Sequence, residues 1–335
     1  MLQLVNLSNY ECDLELIAHD PDKLRFFLES QQLDGIEMMF HQNWDSQLHP
    51  KQYIYGAHLH FWPCWLDFWQ NNQENLLADF GSSANISACY GAATPELWLE
   101  NYRKNLQLAL TAGVKYVVFH VGHVRPKELF SWDFQVSNQS VVDAACEVAN
   151  LLCADLPEDV MLCFENLWWP GLTLLDPKLA ERLLTQIHHK NSGFLLDTGH
   201  LMNTNQALRT EEEGIAYVLN VLKKMGSLSN HIRVIHLHKS LSGLYVEKTQ
   251  HQSAKRHELA DVMAHVLQID QHLPFTSSSV CKIVEATQPD YLVHEFMQSS
   301  WEDWQQKVSQ QQQALQPLLA IKNCHNREIL RYKEA

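Results

Sequence analysis

The stretch Asn191-Ser-Gly-Phe-Leu-Leu-Asp-Thr-Gly-His-Leu-Met-Asn203 decides the fold of this chain. Residues 193–196 are a short apolar run that predicts a buried strand, and Asp197 follows at its carboxyl end. Gly199 indicates a tight turn, and His200 lies on that turn. An acid and a histidine at the carboxyl end of a buried strand are typical of the active-site face of a parallel α/β barrel.

The same pattern recurs along the chain, because other apolar runs also end in a histidine or a carboxylate. These ends read Ala57-His-Leu-His60, Val117-Val-Phe-His-Val-Gly-His123, Cys163-Phe-Glu-Asn-Leu167, Leu196-Asp-Thr-Gly-His200, Val234-Ile-His-Leu-His238 and Leu292-Val-His-Glu-Phe296. One such histidine is more often a satisfied core residue than a ligand, but recurrence on consecutive strands points to a shared site. Ionisable groups at buried strand ends are costly unless they are paired or bind a metal. Imidazole with carboxylate suits Zn, Mn, Fe or Co, so the sequence predicts a divalent metal centre.

Apolar runs alternate with helical patterns, which predicts a parallel sheet. The predicted strands span residues 12–18, 34–40, 53–60, 115–120, 160–165, 194–197, 232–238 and 291–295. The predicted helices span 21–30, 94–112, 140–152, 176–188, 210–225, 257–269 and 301–319. A doubly wound open sheet would normally carry a Gly-rich phosphate turn after its first strand, and the sequence has none. We therefore expect a single (β/α)8 TIM barrel over residues 1–320, with the active site at the carboxyl ends of its strands, followed by a polar C-terminal tail over 321–335.

Composition narrows the class of protein. Hydrophobic residues make up 46% of the 335, which suffices for a large core, and the formal net charge of −14 argues against a nucleic-acid partner. The eight cysteines are scattered and form no C-x-x-C pair, the N-terminus does not resemble a signal peptide, and no apolar run is long enough to span a membrane. These features predict a cytoplasmic protein with reduced thiols.

The segments Glu165-Asn, Leu196-Asp-Thr-Gly-His200, Ile235-His-Leu237 and Glu295 resemble motifs of the xylose-isomerase-like TIM-barrel superfamily. That superfamily includes sugar and sugar-phosphate isomerases and epimerases, and also the endonuclease IV type of apurinic endonuclease (AP endonuclease family 2). The resemblance extends from the second strand, at Asp34-Gly-Ile-Glu37, to the eighth. It implies an enzyme that depends on divalent metal ions, most simply two, with zinc first among the candidates and manganese, cobalt or iron as alternatives.

The resemblance also implies the ligands. The central metal, shared by the epimerases and the endonucleases, would be held by Glu165, Asp197, His236 and Glu295. A second metal, characteristic of the endonuclease-like branch, would use His120, Glu165 and either His58 or His60. Glu165 would then bridge the two metals. His58 is favoured because His58-Leu-His-Phe61 aligns best with the strand-three motif, which leaves His60 nearer the substrate.

A third metal in that branch uses the residue matching His200 and an Asp-x-His motif after strand seven. The corresponding stretch is interpreted as Thr249-Gln-His251, in which threonine replaces the acid. His60, His200 and His251 are therefore candidates for either a metal or the substrate, and His200 is expected to contact the substrate. Alternation along strand eight places His294 on the face opposite Glu295, so it is expected to pack outside the barrel.

The loops after the ligand residues predict the character of the substrate. Trp62, Trp168 and Trp169 follow ligands directly and are expected to form walls of a pocket for a substrate with a broad apolar face. Arg125 and Lys239 lie in loops after strands four and seven and are candidates to bind a phosphate, the alternative being solvated surface cations.

Two chemistries fit this set. The first is two-metal hydrolysis of a phosphoester-type bond in a small metabolite, for example a corrinoid-like or nucleotide-like one. The alternative is isomerisation or epimerisation of a sugar or sugar phosphate, with one metal and Glu165 and Glu295 as the acid–base pair. The negative charge disfavours an abasic-DNA endonuclease. A binder without catalytic activity is a third reading, and the substrate, the metal and the oligomeric state are left open.

Overall fold

The strands form a closed parallel barrel in the order of the sequence. The computed structural model describes residues 1–41, 43–250 and 259–333, except for the side chains of 259, 260 and 319–333. The strands are β1 (Leu2–Ser8), β2 (Gly35–Met39), β3 (Ile54–His58), β4 (Tyr116–His120), β5 (Met161–Glu165), β6 (Ser192–Asp197), β7 (Ile232–His236) and β8 (Tyr291–His294). β8 pairs in parallel with β1, which closes the barrel and confirms the predicted (β/α)8 fold.

Helices connect the strands and cover the outside of the barrel. They are α1 (Glu11–Leu16), α2 (Pro21–Ser30), α3 (Trp65–Trp69), α4 (Gln73–Phe80), α5 (Ser83–Tyr90), α6 (Pro95–Ala112), α7 (Glu128–Ser131), α8 (Asn138–Leu152), α9 (Pro177–Gln186), α10 (Thr198–Asn203), α11 (Glu211–Met225), α12 (Gly243–Thr249), α13 (Leu259–Ile269), α14 (Cys281–Thr287) and α15 (Trp301–Lys333). Predicted strands two to eight each overlap an observed strand. The predicted start of α6 is confirmed, since the Thr94 side chain accepts a hydrogen bond from the Leu97 amide.

The first strand was predicted in the wrong place. Residues 12–18 alternate between apolar and acidic side chains, which suggested a strand, but residues 11–16 form α1, none of which is buried. The barrel instead begins with β1, where Leu4 packs in the interior and Val5 against the surrounding helices. A parallel barrel strand is covered on both faces, so a regular alternation with charged residues argued against a strand at 12–18.

Alternation along each strand decides which side chains enter the barrel. On β5, Cys163 packs in the interior cluster and Phe164 against the helices. Glu165 lies two positions beyond Cys163 and therefore faces the interior at the carboxyl end. On β7, Val234 and His236 stand in the same relation. Apolar residues thus fill the lower barrel, and ionisable residues occupy its carboxyl end.

The last helix is longer than predicted. α15 continues past residue 319 to Lys333, with Pro317 inside it, and so extends into the segment predicted as a polar tail. Among the described residues, no helix combines the length and the hydropathy that crossing a membrane would require.

Candidate metal centre

Glu165 lies at the centre of the carboxyl face of the barrel, with no exposed surface. Its Oε2 atom lies 3.1 Å from Nε2 of His58 on β3 and 3.3 Å from Nε2 of His120 on β4. Its Oε1 atom lies 3.3 Å from Nδ1 of His200 and 3.5 Å from Nδ1 of His236. One carboxylate therefore contacts imidazoles from four segments of the chain, and its two oxygens face different histidines.

The residues predicted to hold a central metal lie together. Ligand atoms of Glu165, Asp197 and His236 are close enough to share one ion. The His236 Nδ1 atom lies 3.2 Å from Glu295 Oε2 and 3.8 Å from Asp197 Oδ2. Strand register explains the arrangement, because Asp197 pairs with His236 across β6 and β7. We call Glu165, Asp197, His236 and Glu295 the central group.

The predicted second set is also assembled. His58, His120 and Glu165 form a further group with metal-ligand spacing, and His120 pairs with Glu165 across β4 and β5. We call these three residues the second group. His60 is directed elsewhere: its ring packs near Trp62, and both line a surface cavity of about 780 Å³ beside α6. Of the two histidines on this segment, His58 is the one that contacts Glu165.

A third cluster uses residues that the sequence analysis missed. Asp270 Oδ2 lies 3.2 Å from Nε2 of His200 and 2.8 Å from Nε2 of His272. Asp270-Gln-His272 is an Asp-x-His motif, but it follows α13, beyond the stretch interpreted as its counterpart. The predicted counterpart, Thr249-Gln-His251, stays a prediction, because His251 lies outside the described residues. We call His200, Asp270 and His272 the third group; an Asp-x-His search extended past α13 would have found it.

Two further ionisable residues join the cluster, although the sequence analysis gave them no ligand role. His238 Nε2 lies 2.9 Å from Asp197 Oδ2 and 3.4 Å from Glu295 Oε2. Glu37, in the middle of β2, lies 2.9 Å from His236 Nε2. The strand-end rule that identified the other acids does not identify Glu37, because the strand continues for two residues beyond it. By contrast, His294 faces outward as predicted and contacts Gln3 and Gln311.

Opposite charges hold the cluster together. Burial would raise the pKa of Glu165, but the surrounding imidazoles outweigh it and hold that pKa well below its usual range. Burial would lower the pKa of His200, but Asp197 and Asp270 raise it well above its ordinary value. For His238, Asp197 likewise prevails over burial and raises the pKa to about 10. A divalent cation would replace these imidazole protons as the partner of the carboxylates.

The donor set fits a metal. Among the described residues, Glu165 Oε1, His236 Nδ1 and Glu295 Oε2 are buried polar atoms without a hydrogen-bond partner. His236 Nδ1 lies 3.5 Å from Glu165 Oε1 and 3.2 Å from Glu295 Oε2. Buried polar atoms without partners are costly, and the proximity of these three indicates a shared ligand. Imidazole nitrogens and carboxylate oxygens are the ligands that zinc, manganese, iron and cobalt accept.

Aromatic residues flank the ligands. Trp168 is buried, with its ring 5.0 Å from that of His200 and 4.6 Å from that of Trp169. Phe61 stacks on His120 at 4.3 Å, and Trp169 lies 6.4 Å from Phe61. Trp168 therefore lies beside the third group, and Phe61 covers the second.

Trp62 does not join this wall. Its ring packs edge to face on Trp98 and Tyr102 of α6, at 5.4 Å from each ring centre. The expectation that Trp62 lines the same pocket as Trp168 is therefore not supported by its contacts, which are those of a side chain packed against a helix.

The two candidate phosphate-binding cations are already paired. Arg125 is buried, and its Nε lies 2.7 Å from Asp79 and 3.6 Å from Asp67. Lys239 forms an ion pair with Glu211. A phosphate would have to compete with the carboxylate that already neutralises each cation, so these contacts do not support the predicted role. Among the described residues, no lysine or arginine forms an ion pair with a carboxylate of the three groups.

Comparisons with known proteins agree with this architecture. The sequence model of the family described as xylose isomerase-like TIM barrel matches residues 29–315. No curated protein matches the sequence. Among solved structures, a D-psicose 3-epimerase determined with D-fructose is 10% identical and superposes over 94% of this chain and 97% of its own, with a TM-score of 0.51. An L-ribulose 3-epimerase is 11% identical over 97% of both chains, also at 0.51. At such identities the likeness concerns the fold alone.

Proposed function

The chain belongs to the family of xylose isomerase-like TIM barrels, as its motifs predicted, and within that family we propose that it is a divalent-metal-dependent hydrolase of a phosphoester-type bond in a small metabolite. The observation that carries this proposal is the position of Glu165 between two ligand groups. Oε2 faces His58 and His120, and Oε1 faces His200 and His236. A shared carboxylate of this kind is suited to a site with two adjacent metals.

The same geometry bears on the competing chemistry. A carboxylate that removes a proton from carbon needs an oxygen directed at the substrate. Both oxygens of Glu165 lie within 3.5 Å of imidazole nitrogens, which favours a ligand role for this carboxylate over proton transfer at carbon. An epimerase would also have no essential task for His58, His120 or the third group. Hydrolysis uses all three groups.

The ligand assignments follow from the contacts. The central group would hold the metal that either chemistry requires, the second group a further metal that shares Glu165, and the third group a third. Metals held there would supply Lewis-acid activation of water and of the scissile bond. The chain itself orients the ligands: the Asn166 carbonyl lies 2.9 Å from His200 Nδ1, and the Asn166 side chain holds the backbone of Asp197 on both its N–H and its C=O.

The surroundings favour a substrate that is larger than a bare sugar. The buried ring of Trp168 lies 5.0 Å from that of His200, so an aromatic side chain packs directly against the ligands. Arg125 and Lys239 are paired, so the charge of a substrate phosphate would be met by the bound metals. A nucleotide-like or corrinoid-like phosphoester suits this combination of an adjacent aromatic ring and a metal-bound anion. The net charge of −14 disfavours an abasic site in DNA as the substrate.

Isomerisation or epimerisation of a sugar or sugar phosphate is the second candidate, and the comparisons favour it over hydrolysis. The two similar structures described above are both sugar 3-epimerases. Glu165 and Glu295 also both lie near His236, at 3.5 and 3.2 Å from its Nδ1 atom, so an acid–base pair on one metal would have both carboxylates beside that metal.

One pair of isotope experiments separates the two functions. The protein reconstituted with zinc or manganese is tested on nucleotide and corrinoid phosphoesters in H₂¹⁸O, and on ketoses and their phosphates in D₂O. Hydrolysis transfers ¹⁸O into a product, whereas a proton-transfer isomerase or epimerase exchanges deuterium into carbon. We expect ¹⁸O transfer and about two or three bound metal equivalents. Deuterium exchange into a ketose with about one equivalent would replace the first proposal by the second.

A further inference from the structure

Glu37 connects the central group to the interior of the barrel. It is 2% exposed, and its two carboxylate oxygens have different partners. Oε1 lies 2.9 Å from Nε2 of His236, and Oε2 accepts a hydrogen bond of 2.7 Å from the hydroxyl of Tyr116. The residue thus contacts a ligand of the central group from below, on the side away from the barrel mouth.

Three neighbouring strands are built to bring Tyr116 to Glu37. Gly56 of β3 pairs with Glu37 on β2 and with Tyr116 on β4, so the three residues lie side by side. A Cβ at Gly56 would lie 2.1 Å from the Tyr116 ring. Glycine at this position is therefore what allows the phenol to cross the barrel interior and reach the carboxylate.

The direction of these hydrogen bonds is set by the chemistry of the donors. Burial, and then the charge of Glu37, raise the pKa of Tyr116 well above its ordinary value, so its hydroxyl keeps the proton and donates it. A carboxylate has only acceptor atoms, so Glu37 accepts hydrogen bonds from both Tyr116 and His236. The Nε2 atom of His236 must therefore carry a hydrogen. In an imidazole that coordinates a metal, the other nitrogen, Nδ1, has the free lone pair.

That nitrogen faces the central group. His236 Nδ1 is buried, has no hydrogen-bond partner among the described residues, and lies 3.2 Å from Glu295 Oε2 and 3.5 Å from Glu165 Oε1. We propose that Glu37, held by Tyr116, is a positioning residue that fixes the ring of His236 with Nδ1 directed at the metal. The inference rests on the proposed function only in that the central group binds a metal, whichever reaction follows.

The test measures metal binding rather than turnover. Co²⁺ affinity and the Co²⁺ absorption spectrum are compared in the full-length wild-type protein and in Glu37→Leu, Glu37→Gln and Tyr116→Phe. Glu37→Leu removes the acceptor at similar volume, and loss of such a partner weakens metal binding roughly 10- to 100-fold. Glu37→Gln keeps an oxygen for His236 and should recover most of the affinity. Tyr116→Phe leaves Glu37 in place and should have a smaller effect with an altered spectrum.

Tyr102→Phe is the matched control, because it removes a buried tyrosine hydroxyl on α6, away from β2 and β7. It should leave both readouts at the wild-type values. Equal affinity and spectrum in wild type, Glu37→Leu and Tyr116→Phe would overturn the role of Glu37 while leaving the metal site intact. A wild-type protein that binds no Co²⁺ would instead overturn the proposed function, and this inference with it. If Glu37→Leu does not fold, the Co²⁺ affinities and spectra of Tyr116→Phe and Glu37→Gln, each compared with the wild type, still test the role of Glu37.

Discussion

The Nε2 atom of His200 lies 3.2 Å from the carboxylate of Asp270, a residue 70 positions later in the chain. Both are buried, and Asp270 also contacts His272 at 2.8 Å. Asp270 therefore joins a histidine of α10, the helix after β6, to one that follows α13. Burial, His272 and His200 act on its carboxyl group, and the two imidazoles prevail and lower its pKa. The third group arises from this contact between distant segments.

Removal of Asp270 should reduce the metal content without abolishing it. We expect Asp270→Asn to bind about one equivalent less than the wild type, because the third group loses its only carboxylate while the central and second groups keep theirs. Metal analysis after reconstitution and desalting measures this. Asp261→Asn, which changes an exposed acid on α13, is the control and should retain the full content. An unchanged content in Asp270→Asn would exclude a metal at the third group.

Alanine substitutions distinguish the two histidines of the third strand segment. His58→Ala should lose the metal of the second group and about 10²- to 10⁴-fold in turnover, because Nε2 of His58 contacts Glu165. His60→Ala should retain both, since His60 packs near Trp62 beside α6. Metal analysis and turnover measured on the two variants in parallel decide the matter. If His60→Ala lost the metal and the activity while His58→Ala kept them, the segment would have to reorient when a metal binds.

Glu165→Gln should have the most severe effect on metal binding. The substitution keeps the size of the side chain but removes the charge that the second and central groups share. We expect the affinity of both groups for Zn²⁺ to fall by at least about 100-fold in a competition assay with a chelator. Glu128→Gln alters another buried glutamate, on α7, and serves as a control for folding. Full retention of zinc by Glu165→Gln would count against the whole assignment.

His49, which belongs to none of the three groups, should make the stability of the fold sensitive to acid. His49 is 1% exposed, and burial lowers its pKa from 6.5 to about 4. Between these values the unfolded chain takes up a proton that the folded chain does not, so stability falls as the pH drops from 6.5 to about 4. This group costs nothing above pH 6.5 and about 3 kcal/mol below pH 4.

Urea unfolding measures this effect. Between neutral pH and about pH 4.5, the unfolding free energy of the wild type should fall by about 1–3 kcal/mol more than that of His49→Leu. The comparison at neutral pH removes any packing effect of the substitution. A difference that does not depend on pH would show that His49 titrates normally in the folded state.

The sequence was most informative where a local pattern has one structural meaning. Short apolar runs that end in an acid or a histidine located strands three to eight and placed Glu165, Asp197 and His236 at one face, because parallel strands in a barrel all direct their carboxyl ends the same way. The first strand was misplaced, because residues 12–18 alternate with charged side chains and overlap a surface helix, α1, whereas a barrel strand is covered on both faces.

The sequence by itself determined the fold, the family, the residues of the central group and, apart from the choice between His58 and His60, those of the second group. Only the tertiary structure decided the partners of side chains that are distant in sequence: Asp270 with His200, Glu37 with His236, and Arg125 with Asp79. The physical reason is the distance along the chain over which each interaction acts. Strand periodicity fixes the direction of a side chain from its neighbours in the chain, whereas a charge finds its partner across the barrel according to how loops and helices pack.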